Sequence, residues 1–479
     1  MDKKVPGEPL KPAGPQEAGT PLVQYGPLWN PALEKHFRGG EPPVAVLVCH
    51  GMGQQVRFET ISSVAEAIRT EAVGKGGVVD PVRVHLAQAN DDFLARAELA
   101  WVDQDARRHQ VHVYEAYWAP LTEDKVSYWD TVKFLLSAAW NGLRYSKLFR
   151  KATFDRWMFD GLKTMQIGRA TYVGLLGVLL FLLAQVAVIA FASVEISRWV
   201  KNISTVQLPS NGFGAWLIFL DSLLPAGTGV LLDWKHFGDG VWWRALAWLM
   251  AIGEAFVVRY FLVQYVGDVA AYISPYKDSK FDELRHKIQK IGFNVGKVIY
   301  GFNAEDSERK IPAPGQTAPP GTVPRYEKIL MVGHSLGSVL AYDTLNGMIN
   351  LDSVLAGSHR VVERTRALIT FGSPLDKTAF LFRVQASRPD VIREQLAASV
   401  QPLIVSYPLY RPLTFQWVNI WSPEDIISGE LNYYDAVPND DPRHVHNMVD
   451  PDATTPLVAH VQYWNNKTLR EQLYQYVVS

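Results

Sequence analysis

The sequence predicts an α/β fold: a mostly parallel sheet with helices on both faces, carrying an inserted transmembrane helical segment. Three observations predict it. Short apolar runs, Val44–Cys49 and Ile329–Val332 among them, have the length of strands buried on both faces. Tyr326–Tyr342 reads as strand, sharp turn and helix in succession. Thr171–Val194 is almost wholly apolar, with Gln185 its most polar interior residue, and exceeds the roughly 18–20 residues a bilayer crossing needs.

Residues 1–25 are rich in Pro and Gly and poor in large apolar side chains, which predicts a disordered tail. Met1-Asp-Lys-Lys is followed by prolines and glycines, so no signal-peptide pattern is expected. Residues 26–120 form the first part of the core. Val44–Cys49 is its first clear strand and runs into His50-Gly51-Met52-Gly53-Gln54-Gln55. Phe58–Thr70 follows as an amphipathic helix, and Val111–Trp118 as a strand ended by Ala119-Pro120.

Residues 121–280 are the helical insertion. Ala245–Val266 is a second apolar stretch, though it carries Glu254 and Arg259, which inside a span must be paired or face protein. Phe213–Leu232 is broken by Asp221, Pro225, Gly227 and Gly229 and reads as interfacial or re-entrant. The strands on either side of the insertion must join one sheet, so the chain crosses an even number of times. We expect two transmembrane helices, near 172–194 and 245–267. Lys147, Arg150, Lys151, Arg156, Lys163 and Arg169 precede the first; Lys277, Lys280, Arg285, Lys287 and Lys290 follow the second. The connecting loop has fewer basic residues, so the core is expected on the cytoplasmic side of an inner or cytoplasmic membrane. The one cysteine, Cys49, excludes an intrachain disulfide and agrees with a reducing compartment. A net charge of −1 gives no sign of a nucleic-acid surface.

Residues 281–479 complete the core. Phe281–Phe302 is predicted to be a helix and Ile311–Pro324 a surface loop. Gly333-His334-Ser335-Leu336-Gly337 fits G-x-S-x-G between an apolar strand and a helix. That pattern places a serine hydroxyl on a strained turn above a sheet edge, with glycines where a Cβ would crowd strand or helix. Ala367–Pro374 reads as a strand entering a turn, and Phe415–Trp421 as a strand ending at Ser422-Pro-Glu-Asp425. His444 and His446 fall in an Asp- and Pro-rich stretch expected to be a loop, where a weak metal site is the alternative reading. Pro456–Trp464 contains His460.

On the elbow motif, the His-Gly-x-Gly after the first strand and the order Ser, Asp, His, the chain resembles the α/β-hydrolase superfamily, its lipases and esterases in particular. The resemblance covers about residues 43–120 and 280–475. It implies Ser335 as nucleophile, His460 as the base and Asp425 as the acid that orients it. Glu424 and Asp376 are the other candidate acids; His444 and His446 are the other candidate histidines. It implies an oxyanion hole from the backbone N–H groups of Met52 and Leu336. His50, Gly51, Gly53, Gly333 and Gly337 would support that loop and the elbow. The implied activity is hydrolysis of lipid esters through an acyl-enzyme, with no metal or organic cofactor. The partners would be an apolar ester and the bilayer, with no nucleic acid; oligomeric state is not legible. A thioesterase or acyltransferase with the same triad, or a silent membrane scaffold, are the alternatives. Cap segments of this superfamily more often enter after the strand that follows the elbow; here the insertion enters before it.

Overall fold

The computed structural model describes residues 39–40, 42–53, 55–89, 92–122, 125–126, 130–136, 140, 176–177, 180, 267–273, 279–302, 323–378, 415–425, 427–432, 434, 444–455 and 458–479. Among them, ten strands form one mixed, mostly parallel sheet. In chain order these are β1 (Gly39–Gly40), β2 (Val44–Cys49), β3 (Val78–Val79), β4 (Arg83–Ala89), β5 (Asp92–Val102), β6 (Arg107–Ala116), β7 (Ile329–His334), β8 (Thr365–Phe371), β9 (Gln416–Trp421) and β10 (Val445–Val449). Across the sheet the order is β10-β9-β8-β7-β2-β6-β5-β3, with β1 beside β6 and β4 beside β5.

β2 is the centre. It pairs in parallel with β6 on one side and β7 on the other, Val46 facing Val113 and Leu330 in register. Every residue of β2 is buried, as the uninterrupted run VAVLVC requires. Its side chains alternate between two cores. Ala45, Leu47 and Cys49 pack toward α3 (Ser279–Tyr300) and α4 (Leu336–Val354). Val44, Val46 and Val48 pack toward α1 (Glu59–Gly74) and α7 (Lys467–Val478). Helices therefore cover both faces of the sheet, with α2 (Gly267–Ile273), α5 (Val361–Arg364) and α6 (Ala459–Gln462) between them in sequence. The Cys49 thiol is fully buried, and that burial, with the charge of Glu115, pushes its pKa well above the ordinary range.

Two regions differ from the sequence reading. No element was expected in 83–102, yet β4 and β5 form an antiparallel hairpin there, and β5 pairs antiparallel with β6. The run Ala95-Arg-Ala-Glu-Leu-Ala100 is built of strong helix formers, so local propensity hides the strand. Pairing wins because Ala95, Ala97, Leu99 and Trp101 all reach one core while Arg96 and Glu98 pair on the other face. The second region is the stretch around His444 and His446, which is not a loop. β10 pairs in parallel with β9, Val445 opposite Trp417, and buries Val445 while leaving His446 exposed.

Both expected crossings, 172–194 and 245–267, lie outside the described residues, except for helical positions 176, 177 and 180 and for Gly267, which opens α2. So do the interfacial stretch 213–232, the tail 1–25 and the loop 311–324 apart from its last two residues. Among the described residues no helix is long and apolar enough to cross a membrane.

Candidate active site

β7 ends in a turn whose apex is Ser335, at φ 53° and ψ −131°. A non-glycine residue holds that conformation only where its surroundings fix it. Here the Ser335 N–H donates to the Phe371 carbonyl of β8 (3.0 Å), and the Ser335 carbonyl accepts from Ser338 N–H at 2.9 Å and from the Ser338 hydroxyl. Ser338 Oγ in turn lies 2.8 Å from Ser373 Oγ. The turn is also tight enough to exclude side chains. A Cβ on Gly333 would sit 2.4 Å from Ser338 Cα, and one on Gly337 2.2 Å from the Cys49 carbonyl oxygen. α4 thus begins pressed against the end of β2.

Three side chains meet at this turn from three elements. His460, on α6, places Nε2 2.7 Å from Ser335 Oγ and Nδ1 2.9 Å from Asp425 Oδ2. Asp425 follows β9. Its Oδ1 accepts from the Ile427 N–H (2.9 Å), and its Oδ2 also accepts from the Tyr463 hydroxyl (2.9 Å). Burial alone would raise the Asp425 pKa. The hydrogen bond and charge of His460, with the Ile427 N–H and Ser428, outweigh it and hold the carboxyl well below the usual carboxylate range. Asp425 is therefore ionised. Burial and the neighbouring Asp425 charge push Tyr463 well above the ordinary tyrosine value, which keeps its hydroxyl a donor.

Of the other candidate acids, Glu424 is exposed, and Asp376 lies in the helical residues 375–378 that follow β8. The imidazole Nδ1 meets Asp425. Of the other candidate histidines, His446 is exposed on β10. Among the described residues no group of three or more His, Cys, Asp or Glu is placed to hold a metal ion.

The loop after β2 lies over the nucleophile. A Cβ on Gly51 would come within 2.9 Å of Ser335 Cβ and 3.0 Å of His334 Nδ1. His50 fixes this loop to the end of β6. The Trp118 N–H donates to His50 Nε2 (3.0 Å), so the proton sits on Nδ1, which donates to the Gly51 carbonyl (2.8 Å). The imidazole stacks on Trp118, centroids 4.8 Å apart, and the Trp118 indole donates to the His50 carbonyl. Burial pushes the His50 pKa down to about 4, so the ring is neutral. Met52 and Leu336 are both buried and belong to the same core. Leu336 is the first residue of α4, where no intrahelical carbonyl reaches its N–H and the helix dipole favours negative charge.

Four contributors were not singled out from the sequence. His334 donates from Nε2 to the His460 carbonyl (2.9 Å) and packs against Phe371 and Trp464. Burial and the neighbouring His460 push its pKa down to about 3, so it too is neutral. Its place inside the G-x-S-x-G motif is a usable signal. Tyr463 stands three residues after His460, so one short stretch of chain brings both side chains to Asp425. Lys377 donates to the Ser428 carbonyl (2.6 Å), and burial pushes its pKa down to about 8. Asp268 accepts the Gly53 N–H at 2.8 Å from a point 215 residues away in sequence, and no local pattern announces it.

No protein-family model, curated protein or solved structure matches this chain. The functional reading therefore stands on the geometry. A serine hydroxyl hydrogen-bonded to an imidazole nitrogen, the ring itself held by a buried carboxylate, can pass its proton to the ring as the oxygen attacks a carbonyl carbon.

Proposed function

We propose that this protein is a membrane-anchored serine hydrolase of the α/β-hydrolase type, cleaving ester bonds of lipids. The observation that carries the reading is the unbroken chain Ser335 Oγ, His460 Nε2, His460 Nδ1, Asp425 Oδ2 at the apex of a strained strand–helix turn. In the reaction, His460 takes the Ser335 proton while Oγ attacks the ester carbonyl. The N–H groups of Leu336 and Met52 receive the resulting oxyanion. The imidazolium, balanced by Asp425, gives its proton to the leaving alkoxide, and the acyl-enzyme remains. Water then repeats the sequence, His460 again acting as base, and frees the acid. No metal or organic cofactor takes part.

The placement of β2 and β7 side by side supports the hydrolase fold, since it brings the glycine loop after β2 against the turn that carries Ser335. Two observations support the bilayer as the second partner. Thr171–Val194 has the length and composition of a crossing. Leu176 and Leu180, both at helical positions, are exposed. The basic flanks of the insertion favour a cytoplasmic core.

A fluorophosphonate probe tests the nucleophile directly. Detergent-solubilised protein should be labelled at Ser335, and the label should vanish in Ser335→Ala. Absence of labelling in wild type would refute the hydrolase reading and leave a scaffold. A series of esters of graded acyl length, with thioesters and alcohol acceptors alongside, then fixes the substrate class.

A further inference from the structure

The apolar insertion returns to the core through α2, and this short helix touches both elements that carry the oxyanion donors. At its start, Asp268 Oδ2 accepts the N–H of Gly53, the residue after Met52. One turn later, the Tyr272 hydroxyl donates to Asp343 Oδ2 on α4 (2.6 Å), the helix whose first N–H belongs to Leu336. Gln289 of α3 donates to the same Asp343 oxygen (2.9 Å). Ala270, Ala271 and Tyr272 are fully buried, and the Arg285 guanidinium lies over the Tyr272 ring. α2 is thus fastened to the core along its length, with Asp268 directed at the glycine loop.

We propose, on the hydrolase reading above, that Asp268 is a positioning residue of the reaction. It holds the loop after β2 so that the Met52 N–H stays aimed at the developing oxyanion. His50 and the buried Met52 side chain hold the loop up to Met52, but the Gly53 peptide has no side chain to fix its plane, and catalysis needs the donor fixed before the charge develops. The choice of residue type agrees. Burial pushes the Asp268 carboxyl up to about 6 against the help of the Gly53 N–H and the Thr122 hydroxyl, so a carboxylate here is held at a cost. An acceptor that serves packing alone has no need of charge. A charged acceptor binds the Gly53 N–H more strongly than a neutral one, and so restrains the adjoining Met52 peptide more firmly.

The test compares Asp268→Ala, Asp268→Asn and Asp268→Glu with wild type, all full-length and detergent-solubilised. kcat and KM for an ester are measured per serine titrated by a fluorophosphonate, so unfolded enzyme does not count. Asp268→Ala should lower kcat by about 100-fold, the scale of losing one oxyanion donor, with KM nearly unchanged. Asp268→Asn, whose amide oxygen can still accept but carries no charge, should recover part of the loss and fall between Asp268→Ala and wild type. If the alanine variant does not fold, Asp268→Glu decides, because it keeps the carboxyl but displaces it by one methylene. It too should lose kcat at constant KM. Wild-type kcat per titrated serine in Asp268→Ala, or in Asp268→Glu where that variant decides, would overturn the inference while leaving the hydrolase reading intact. Failure of wild type to react with the probe would instead remove the hydrolase reading itself, and this inference with it.

Discussion

Replacing Asp425 by Asn leaves size and shape unchanged and alters one donor–acceptor assignment. Asp425 Oδ1 accepts from the Ile427 N–H, and Oδ2 accepts from His460 Nδ1–H and Tyr463 O–H. An Asn must put its NH₂ at one of these places. At the Oδ1 position it would face a backbone N–H that cannot turn away, donor against donor. At the Oδ2 position it faces two partners that can adapt: the tyrosine hydroxyl rotates, and the imidazole moves its proton to Nε2. The second arrangement therefore wins. It leaves His460 presenting N–H rather than a lone pair to Ser335 Oγ, so the base is lost while the fold is kept. The imidazolium formed in the transition state also loses its counter-charge. The expected fall in kcat is about 10⁴-fold, or about 5.5 kcal/mol, with KM little changed. Steady-state kinetics on a chromogenic ester measures it, and nitrogen-resolved NMR of the His460 ring reads the tautomer. Activity within tenfold of wild type would show that Asp425 is not the orienting acid. The argument would then pass to Asp376→Asn.

Ser335→Ala should abolish hydrolysis and probe labelling while the thermal unfolding midpoint stays close to wild type; retained turnover would refute the assignment of the nucleophile. Gly337→Ala should lower stability by about 3 kcal/mol or more, because its Cβ would lie 2.2 and 2.3 Å from the backbone oxygens of Cys49 and His50. A denaturation midpoint equal to wild type would mean that β2 and α4 can separate freely. The Asp268 carboxyl binds a proton more readily in the folded chain, at about 6, than in the unfolded one, near 3.8. Its contribution is therefore full below about pH 4 and is lost as pH rises through 6, a span of up to about 3 kcal/mol. Unfolding of Asp268→Asn and wild type from pH 4 to 8 should show the variant gaining relative stability as pH rises. A constant difference would show an ordinary carboxyl. Last, kcat/KM should rise from acetyl to long acyl esters, since each CH₂ buried is worth about 0.8 kcal/mol. A steep preference for acetate would reduce the apolar insertion to a tether.

The parts legible in the sequence were those where one local signal decided. β2 and β7 are short apolar runs whose burial needs no partner to be guessed. The elbow is a pattern of two glycines around a serine, and the structure shows why each glycine is small. His460 and Asp425 were chosen from order along the chain, and they meet because α6 and the end of β9 both lie at the edge where β7 stops. What stayed hidden depended on distant contacts. β5 drew no reading because its central run is made of helix formers, and its alternation counts only once it is set against β6. β10 looks like a loop because its backbone finds a partner in β9, while Asp and Pro flank it. Asp268 was invisible because its contact with the glycine loop joins residues 215 apart in sequence.

The burial of Cys49 has a practical consequence for testing the proposed membrane crossings. It is the one thiol in the sequence, it lies fully inside the central strand, and its proton is held far above the range where thiolate forms. Maleimides and disulfide reagents attack thiolate, so the native protein behaves as a blank toward them. A cysteine introduced near Asn202 or near Lys280 becomes the one reactive handle in the molecule. An impermeant reagent added to vesicles can then test the proposed crossings by whether the two positions are labelled unequally, with the strand beside Ser335 left as nature built it.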